Sequence, residues 1–134
     1  MNISYVKLAI VGSRTFSDYH TLKEVLDNIS VEHGVDYIEV ISGGAKGADT
    51  LGEKYAEEYK IPTKIFPAEW KKYGKKAGFK RNVDIIENCD LCVCFWDGES
   101  HGTQHDINLC KEMHKPCFVY NFLKDKLYFN SNEE

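Results

Sequence analysis

Residues 36–60, "DYIEVISGGAKGADTLGEKYAEEYK", decide how this chain folds. An apolar run ends at Ser42, glycines stand at 43, 44 and 47, and a helical pattern begins at once. A strand that turns into a helix through glycine is half of a βαβ unit, and one glycine would be enough for the turn. The surplus clears side chains from the backbone, so that a ligand can touch the peptide N–H groups of Gly43 and Gly44. The start of the following helix offers free N–H groups and a positive dipole end, which makes a phosphate the expected guest. Spacing excludes two common phosphate loops. G-x-x-x-x-G-K-[ST] meets Ala48 or Asp49 where its second glycine belongs, and G-x-G-x-x-G meets Ser42 in its first place. The competing reading is a tight strand-to-helix turn with close packing.

Outward from this stretch, strand-like runs at 5–12, 63–67, 91–97 and 116–121 join the one at 36–42. Helical patterns at 18–33, 47–60, 77–89 and 102–114 alternate with them. The first opens with Asp18 as N-cap and sets Leu22, Val25, Leu26 and Ile29 on one stripe. The expected fold is therefore α/β: a single-domain, doubly wound (Rossmann-like), mostly parallel five-stranded sheet with helices on both faces. Strand order 3-2-1-4-5 places a crevice between strands 1 and 4 at their carboxyl ends. The domain is expected over residues 1–129, with 130–134 as a frayed tail.

With 134 residues, a formal charge of -4 and 43% hydrophobic residues, the composition is that of one globular domain and excludes disordered, collagen-like and membrane-spanning classes. The N-terminus enters a strand pattern directly, so the expectation is a cytoplasmic protein with no membrane partner. Five cysteines, at 89, 92, 94, 110 and 117, suit a reducing compartment. Cys89 and Cys92 read C-x-x-C, yet Cys92, Cys94 and Trp96 share one strand face and are expected to be small buried apolar residues. His101 and His105 are four apart, but Gly102 is expected to start the helix, leaving His101 outside it. No metal and no cofactor are expected. Residues 69–81 carry Lys71, Lys72, Lys75, Lys76, Lys80 and Arg81 against one carboxylate, net +5, which leaves -9 on the remainder. This run is either a solvated helix face or an attractor of anions. The overall negative charge argues against nucleic acid as a partner.

Three polar or glycine-rich loops follow strands and share one rim: "GSRTFSD" (12–18), "SGGAKGAD" (42–49) and "DGESHGT" (97–103). In the third, Gly98, Ser100, Gly102 and Thr103 lead into a helix and offer N–H groups and two hydroxyls. Asp106, one turn on, is either a general base or sugar ligand, or an ordinary first-turn acid.

"VGSRTFSD" (11–18), "ISGGAKGAD" (41–49), "FPAEWKKYGKKAGFKRN" (66–82) and "FWDGESHGT" (95–103) together resemble the SLOG superfamily of DprA/LOG-type Rossmann-like proteins. The likeness is to its small stand-alone YspA/YpsA-related branch of bacteria and phages. Members of the superfamily include phosphoribohydrolases, sensors of NAD-derived signals and DNA-binding proteins. Matched by position to the hydrolase pattern, the resemblance implies a phosphate loop at Gly43, Gly44 and Gly47. It also implies a catalytic pair, Arg81 clamping phosphate and Asp106 stabilising a sugar cation or activating water. Two departures weaken the hydrolase: a proline-glycine pair is replaced around Asp97 and Gly98, and a glutamate is replaced by the shorter Asp106. Trp70, which the resemblance places near the ligand, either stacks a base or plugs the core. Asp49 is expected to receive ribose hydroxyls or backbone N–H groups.

The resulting expectation is a sensor or sequestering module for a phosphorylated nucleoside or nucleotide-derived, including NAD-derived, small molecule. It is preferred over N-glycosidic cleavage of a nucleotide and over single-stranded DNA binding. The expected contacts are Gly12, Ser13 and Arg14; Gly43, Gly44, Lys46, Gly47 and Asp49; Trp70, Arg81 and Asn82; and Asp97, Gly98, Ser100, Gly102 and Thr103. A homo-oligomer is expected because relatives often assemble.

Overall fold

The structure, a computed structural model, describes residues 4–130. Strand β1 (Ser4–Gly12) leads to helix α1 (Tyr19–His33), then β2 (Val35–Ser42), α2 (Ala48–Glu58) and β3 (Thr63–Ile65). The chain returns through a short helix α3 (Trp70–Tyr73), a 3₁₀ turn (Gly74–Lys76) and α4 (Ala77–Asn88) to β4 (Leu91–Trp96). Helix α5 (His101–Glu112), β5 (Cys117–Asn121) and β6 (Lys126–Asn130) complete it. The sheet order is β3-β2-β1-β4-β5-β6. The first five strands pair in parallel, and β6 runs antiparallel to β5.

Alternation along β1 shows why the central strands read as continuous apolar runs. Leu8 and Ile10 face a core with Leu22, Leu26 and Ile29 of α1 and Tyr55 and Ala56 of α2. Ala9 and Val11 face the opposite core, with Ile85 and Ile86 of α4 and Ile107 and Cys110 of α5. Both faces are covered, so both must be apolar. Asp18 caps α1 as expected, its carboxylate accepting the Thr21 amide at 3.1 Å and the Thr21 hydroxyl at 2.7 Å. Gly34 ends the helix in the left-handed region.

Among the described residues the sheet has six strands, one more than expected. Strand β6 is exposed along most of its length, so no inside-outside alternation announces it. It is joined to β5 by a turn in which Asn121 Oδ1 accepts the amides of Leu123 and Lys124, both at 3.1 Å. Asn130, expected in the tail, closes this strand; residues 131–134 of the expected tail lie outside the described residues. Helix α5 begins at His101 with Ser100 as its cap residue, one position before the expected start. The direction of winding reverses between β1 and β4, and their carboxyl ends open the crevice where doubly wound sheets place ligands.

Candidate functional site

The crevice holds a cavity of about 380 Å³. Gly12, Ser13 and Arg14 reach it from the end of β1, and Asp49 from the first turn of α2. Arg81 and Asn82 come from α4, while Asp97, Ser100, Gly102, Thr103 and Asp106 come from the end of β4 and the start of α5. Gly43, Gly44, Lys46, Gly47 and Gly98, all expected at the ligand, lie outside its lining.

Two of the glycines serve the protein itself. A Cβ on Gly12 would stand 2.2 Å from the Phe95 carbonyl oxygen, at the point where β1 leaves the sheet beside β4. A Cβ on Gly47, whose φ is +80°, would stand 2.3 Å from the Ser13 carbonyl oxygen. The Ala48 amide donates to that same oxygen at 3.3 Å, so these glycines let the loops after β1 and β2 press together. Gly102 is different: a Cβ there meets nothing within 4 Å.

The glycine loop after β2 is occupied from within. Asp49 Oδ2 accepts the amides of Gly43 at 3.1 Å and Ala45 at 3.4 Å, and Ser42 Oγ accepts the Gly44 amide at 3.1 Å. Of the two donors assigned to a phosphate, the Gly43 amide thus goes to a carboxylate and the Gly44 amide to a hydroxyl, and Asp49 receives backbone N–H groups, one of its two expected roles. Burial pushes the Asp49 carboxyl up to about 6, against the opposing pull of the Ala45 amide, the Arg81 charge and the Gly43 amide. Arg81 is anchored by its own contacts, donating to the Gly43 carbonyl at 3.0 Å and to Asn82 Oδ1 at 3.1 Å.

At the other wall, Ser13 Oγ sits 3.0 Å from Ser100 Oγ and accepts the Asp97 amide at 3.2 Å. Asp97 Oδ1 accepts the amides of Glu99 and Ser100, both at 2.8 Å, which folds the loop over Gly98. These bonds hold the Asp97 carboxyl below the usual carboxylate range. Asp106 lies at the floor. Burial, reinforced by the nearby Asp49 charge, pushes its carboxyl well above the ordinary value. Among the described residues, Asp106 Oδ1 has no hydrogen-bond partner.

A second groove of about 260 Å³ adjoins the cavity and shares Arg14, Arg81, Asn82 and Gly102 with it. Its other walls include Trp70, Phe79, Lys75, His101 and His105. Trp70 is 54% exposed and Phe79 61% exposed, so neither ring is a core plug. Phe79 stands edge-on to His105 with ring centroids 4.7 Å apart, and His105 Nδ1 lies 3.0 Å from Asn82 Nδ2. Phe79, His101 and His105 were not expected here as ligand-contacting residues. Phe79 shares a helical face with Asn82 and Ile86, which on periodicity alone reads as core. Lys71, Lys72, Lys75, Lys76 and Lys80 are all exposed, and among the described residues only Lys80 of these makes an ion pair, with Asp84 at 3.4 Å.

A family model described as the YspA, cpYpsA-related SLOG family matches residues 6–73. The chain belongs to that family. A relative, the "Gene 61 protein" of Mycobacterium phage D29, is 34% identical over 124 residues, covering 87% of this chain and 95% of its own. Among solved structures, DNA processing protein A from Helicobacter pylori aligns with a TM-score of 0.63 at 19% identity, over 85% of this chain and 64% of that one. That likeness supports the SLOG fold. The structure of DNA processing protein A is described for its single-stranded DNA binding mode.

Two expectations are thereby corrected: a small nucleotide-derived ligand, and nucleic acid as an unlikely partner. The structural neighbour binds single-stranded DNA, and neither relative is described with a small nucleotide ligand. The charge argument behind the second expectation used the wrong quantity. A whole-chain charge of -4 averages over the molecule, whereas exposed charges act over about 8–10 Å in physiological salt. Residues 69–81 carry a local +5. Among the described residues, no helix is long and apolar enough to cross a membrane.

Proposed function

We propose that this chain binds single-stranded DNA along the rim between β1 and β4, with phosphates against Arg14, Arg81 and the lysines of residues 71–76. Bases stack on Trp70 and Phe79. The observation that carries this reading is continuity: the same two arginines line the polar cavity and the exposed aromatic groove. A single-strand binder needs a basic track for the backbone and aromatic faces for unpaired bases, and here both lie side by side. A duplex keeps its base faces stacked and has no use for such rings.

Gly102 supports the reading. Glycine in a helix is costly relative to alanine, and no neighbour forbids a side chain at this position. The opening it leaves joins cavity to groove, which suits a chain-like ligand passing from one to the other. The fold shared with DNA processing protein A also supports it.

Fluorescence anisotropy with a labelled oligothymidylate, in single-stranded form and annealed to its complement, tests the proposal across a salt series. Saturable binding that weakens with salt and favours the single strand by about tenfold or more is expected. Equal affinity for the duplex, or no binding at low salt, would overturn it.

A further inference from the structure

Three of the five cysteines bring their sulfurs together on one face of the sheet, and a fourth packs nearby on α5. Cys92 and Cys94 are two apart on β4 and point to the same face. Cys117 is the register partner of Cys92 on β5, and Cys110 comes from α5. The sulfurs of Cys92 and Cys94 are 3.7 Å apart, as are those of Cys94 and Cys117. All three lie within 4.8 Å of one another. Cys110 of α5 packs in the same core cluster beside these three. All four residues are 0% exposed.

Volume filling does not explain the convergence. The same face uses Val11, Ile41 and Val119 where only packing is required. Thiols brought together from two strands supply three soft donors to a single point, with a fourth thiol beside them on α5, and soft donors select closed-shell thiophilic ions. A tetrahedral zinc-thiolate centre has bonds of about 2.3 Å, which fixes sulfur-sulfur edges of about 3.8 Å. The two 3.7 Å separations match those edges.

We propose that Cys92, Cys94 and Cys117 form a site for a thiophilic metal ion, with Zn²⁺ as the reference ion, and that Cys110 swings in from α5 as the fourth thiolate. On binding, the ion replaces the thiol protons of its ligands, which leave to solvent. The site has a structural consequence for the rim. It ties α5 to β4 and β5, and the first two turns of α5 carry Gly102, Thr103 and Asp106 of the cavity. Enclosed sulfurs require loading while the chain folds. The C-x-x-C spacing points to the wrong pair, since the Cys89 thiol donates to the Ile86 carbonyl at 3.3 Å.

The test is refolding of the full chain under reducing conditions with Co²⁺, whose thiolate complexes absorb in the near ultraviolet and visible. About one equivalent of Co²⁺, with thiolate charge-transfer bands that Zn²⁺ bleaches, is expected. Cys89→Ala should keep the bands. Cys94→Ala and Cys117→Ala should lose them, and Cys110→Ala should shift the ligand-field bands because one sulfur is gone. Folding of each variant is checked by circular dichroism. Where a variant fails to fold, the wild-type chain decides by elemental analysis after refolding in excess Zn²⁺. Folded wild-type protein with no retained metal and no bands, or bands that survive in Cys94→Ala and Cys117→Ala, overturns the proposal.

Discussion

Asp49 Oδ2 accepts the amide hydrogen of Gly43 at 3.1 Å, so a carboxylate of the protein holds a backbone donor that glycine-rich loops commonly offer to phosphate. Burial pushes this carboxyl up to about 6 from its ordinary value of 3.8. Between those values the folded state keeps a proton that the unfolded state releases, and this residue's contribution to stability falls as pH rises through that window. Asp49→Asn should remove the dependence while its carbonyl oxygen still accepts the two amides. Relative to the parent, the variant should gain on the order of 2–3 kcal/mol between pH 4 and pH 7 in urea unfolding. A constant difference across that range would mean that Asp49 titrates normally.

The same charge affects DNA. An ionised Asp49 repels a phosphate brought to the neighbouring Arg81, and protonation relieves that repulsion. Affinity for oligothymidylate should rise as pH falls from 7.5 to 5.5, and Asp49→Asn should flatten the trend. Anisotropy titrations at fixed ionic strength read this directly.

Gly102 and Gly47 make opposite predictions. Gly102→Ala should leave the fold intact and stabilise it by up to about 1 kcal/mol, because the helix prefers alanine and the space is open. Gly102→Leu should fill that space and weaken DNA binding about tenfold or more, near 1.4 kcal/mol. Gly47→Ala should destabilise by about 2 kcal/mol or more, since its Cβ would press on the Ser13 carbonyl at a φ of +80°. Thermal melts beside binding curves distinguish the three.

These glycines also mark what the sequence could and could not convey. The stretch 36–60 reveals the βαβ unit because a period-2 run passes into a period-3.6 run through glycine, and both faces of the central strands are apolar for a visible reason. Cleared side chains at Gly12, Gly47 and Gly102 look alike in one dimension. Only the folded chain shows that Phe95 and Ser13 fill the space at the first two and nothing fills it at the third. The cysteine group is hidden for a related reason. Its members span positions 92 to 117 and meet through strand register and the packing of α5, neither of which leaves a short-range spacing. Strand β6 lacks a buried face, and the averaged charge concealed the basic run.

Salt dependence separates the lysines. Lys71, Lys75 and Lys76 are exposed and make no ion pair among the described residues, so each that touches a phosphate should carry its share of counterion release. Replacing one by glutamine should lower the slope of log affinity against log salt by about 0.7. Lys80 already pairs with Asp84, and Lys80→Gln should change the slope less. Arg81→Lys keeps the charge but loses the planar two-pronged contact, so affinity should fall while the slope changes little. Identical slopes in every variant would place the DNA elsewhere.

The aromatic groove gives the most direct test. The protein has two tryptophans, and Trp96 is half-buried with its indole N–H donated to the Ser100 carbonyl at 3.0 Å. Trp70 is the exposed one, so bases that stack on it should quench fluorescence that Trp70→Phe removes. Stacking on a flat ring is tolerant of sequence, and Trp70→Ala and Phe79→Ala should each cost about 1–3 kcal/mol with thymidylate and adenylate strands alike. Neither ring is buried in the core, so the melting temperature should move little. Phe79 also braces His105, and its removal frees the imidazole that sits beside Asn82. If Phe79 acts only as that brace, Phe79→Leu should restore binding. If it is a base platform, leucine offers no ring face and the loss should persist, while Phe79→Tyr should bind nearly as well as the parent.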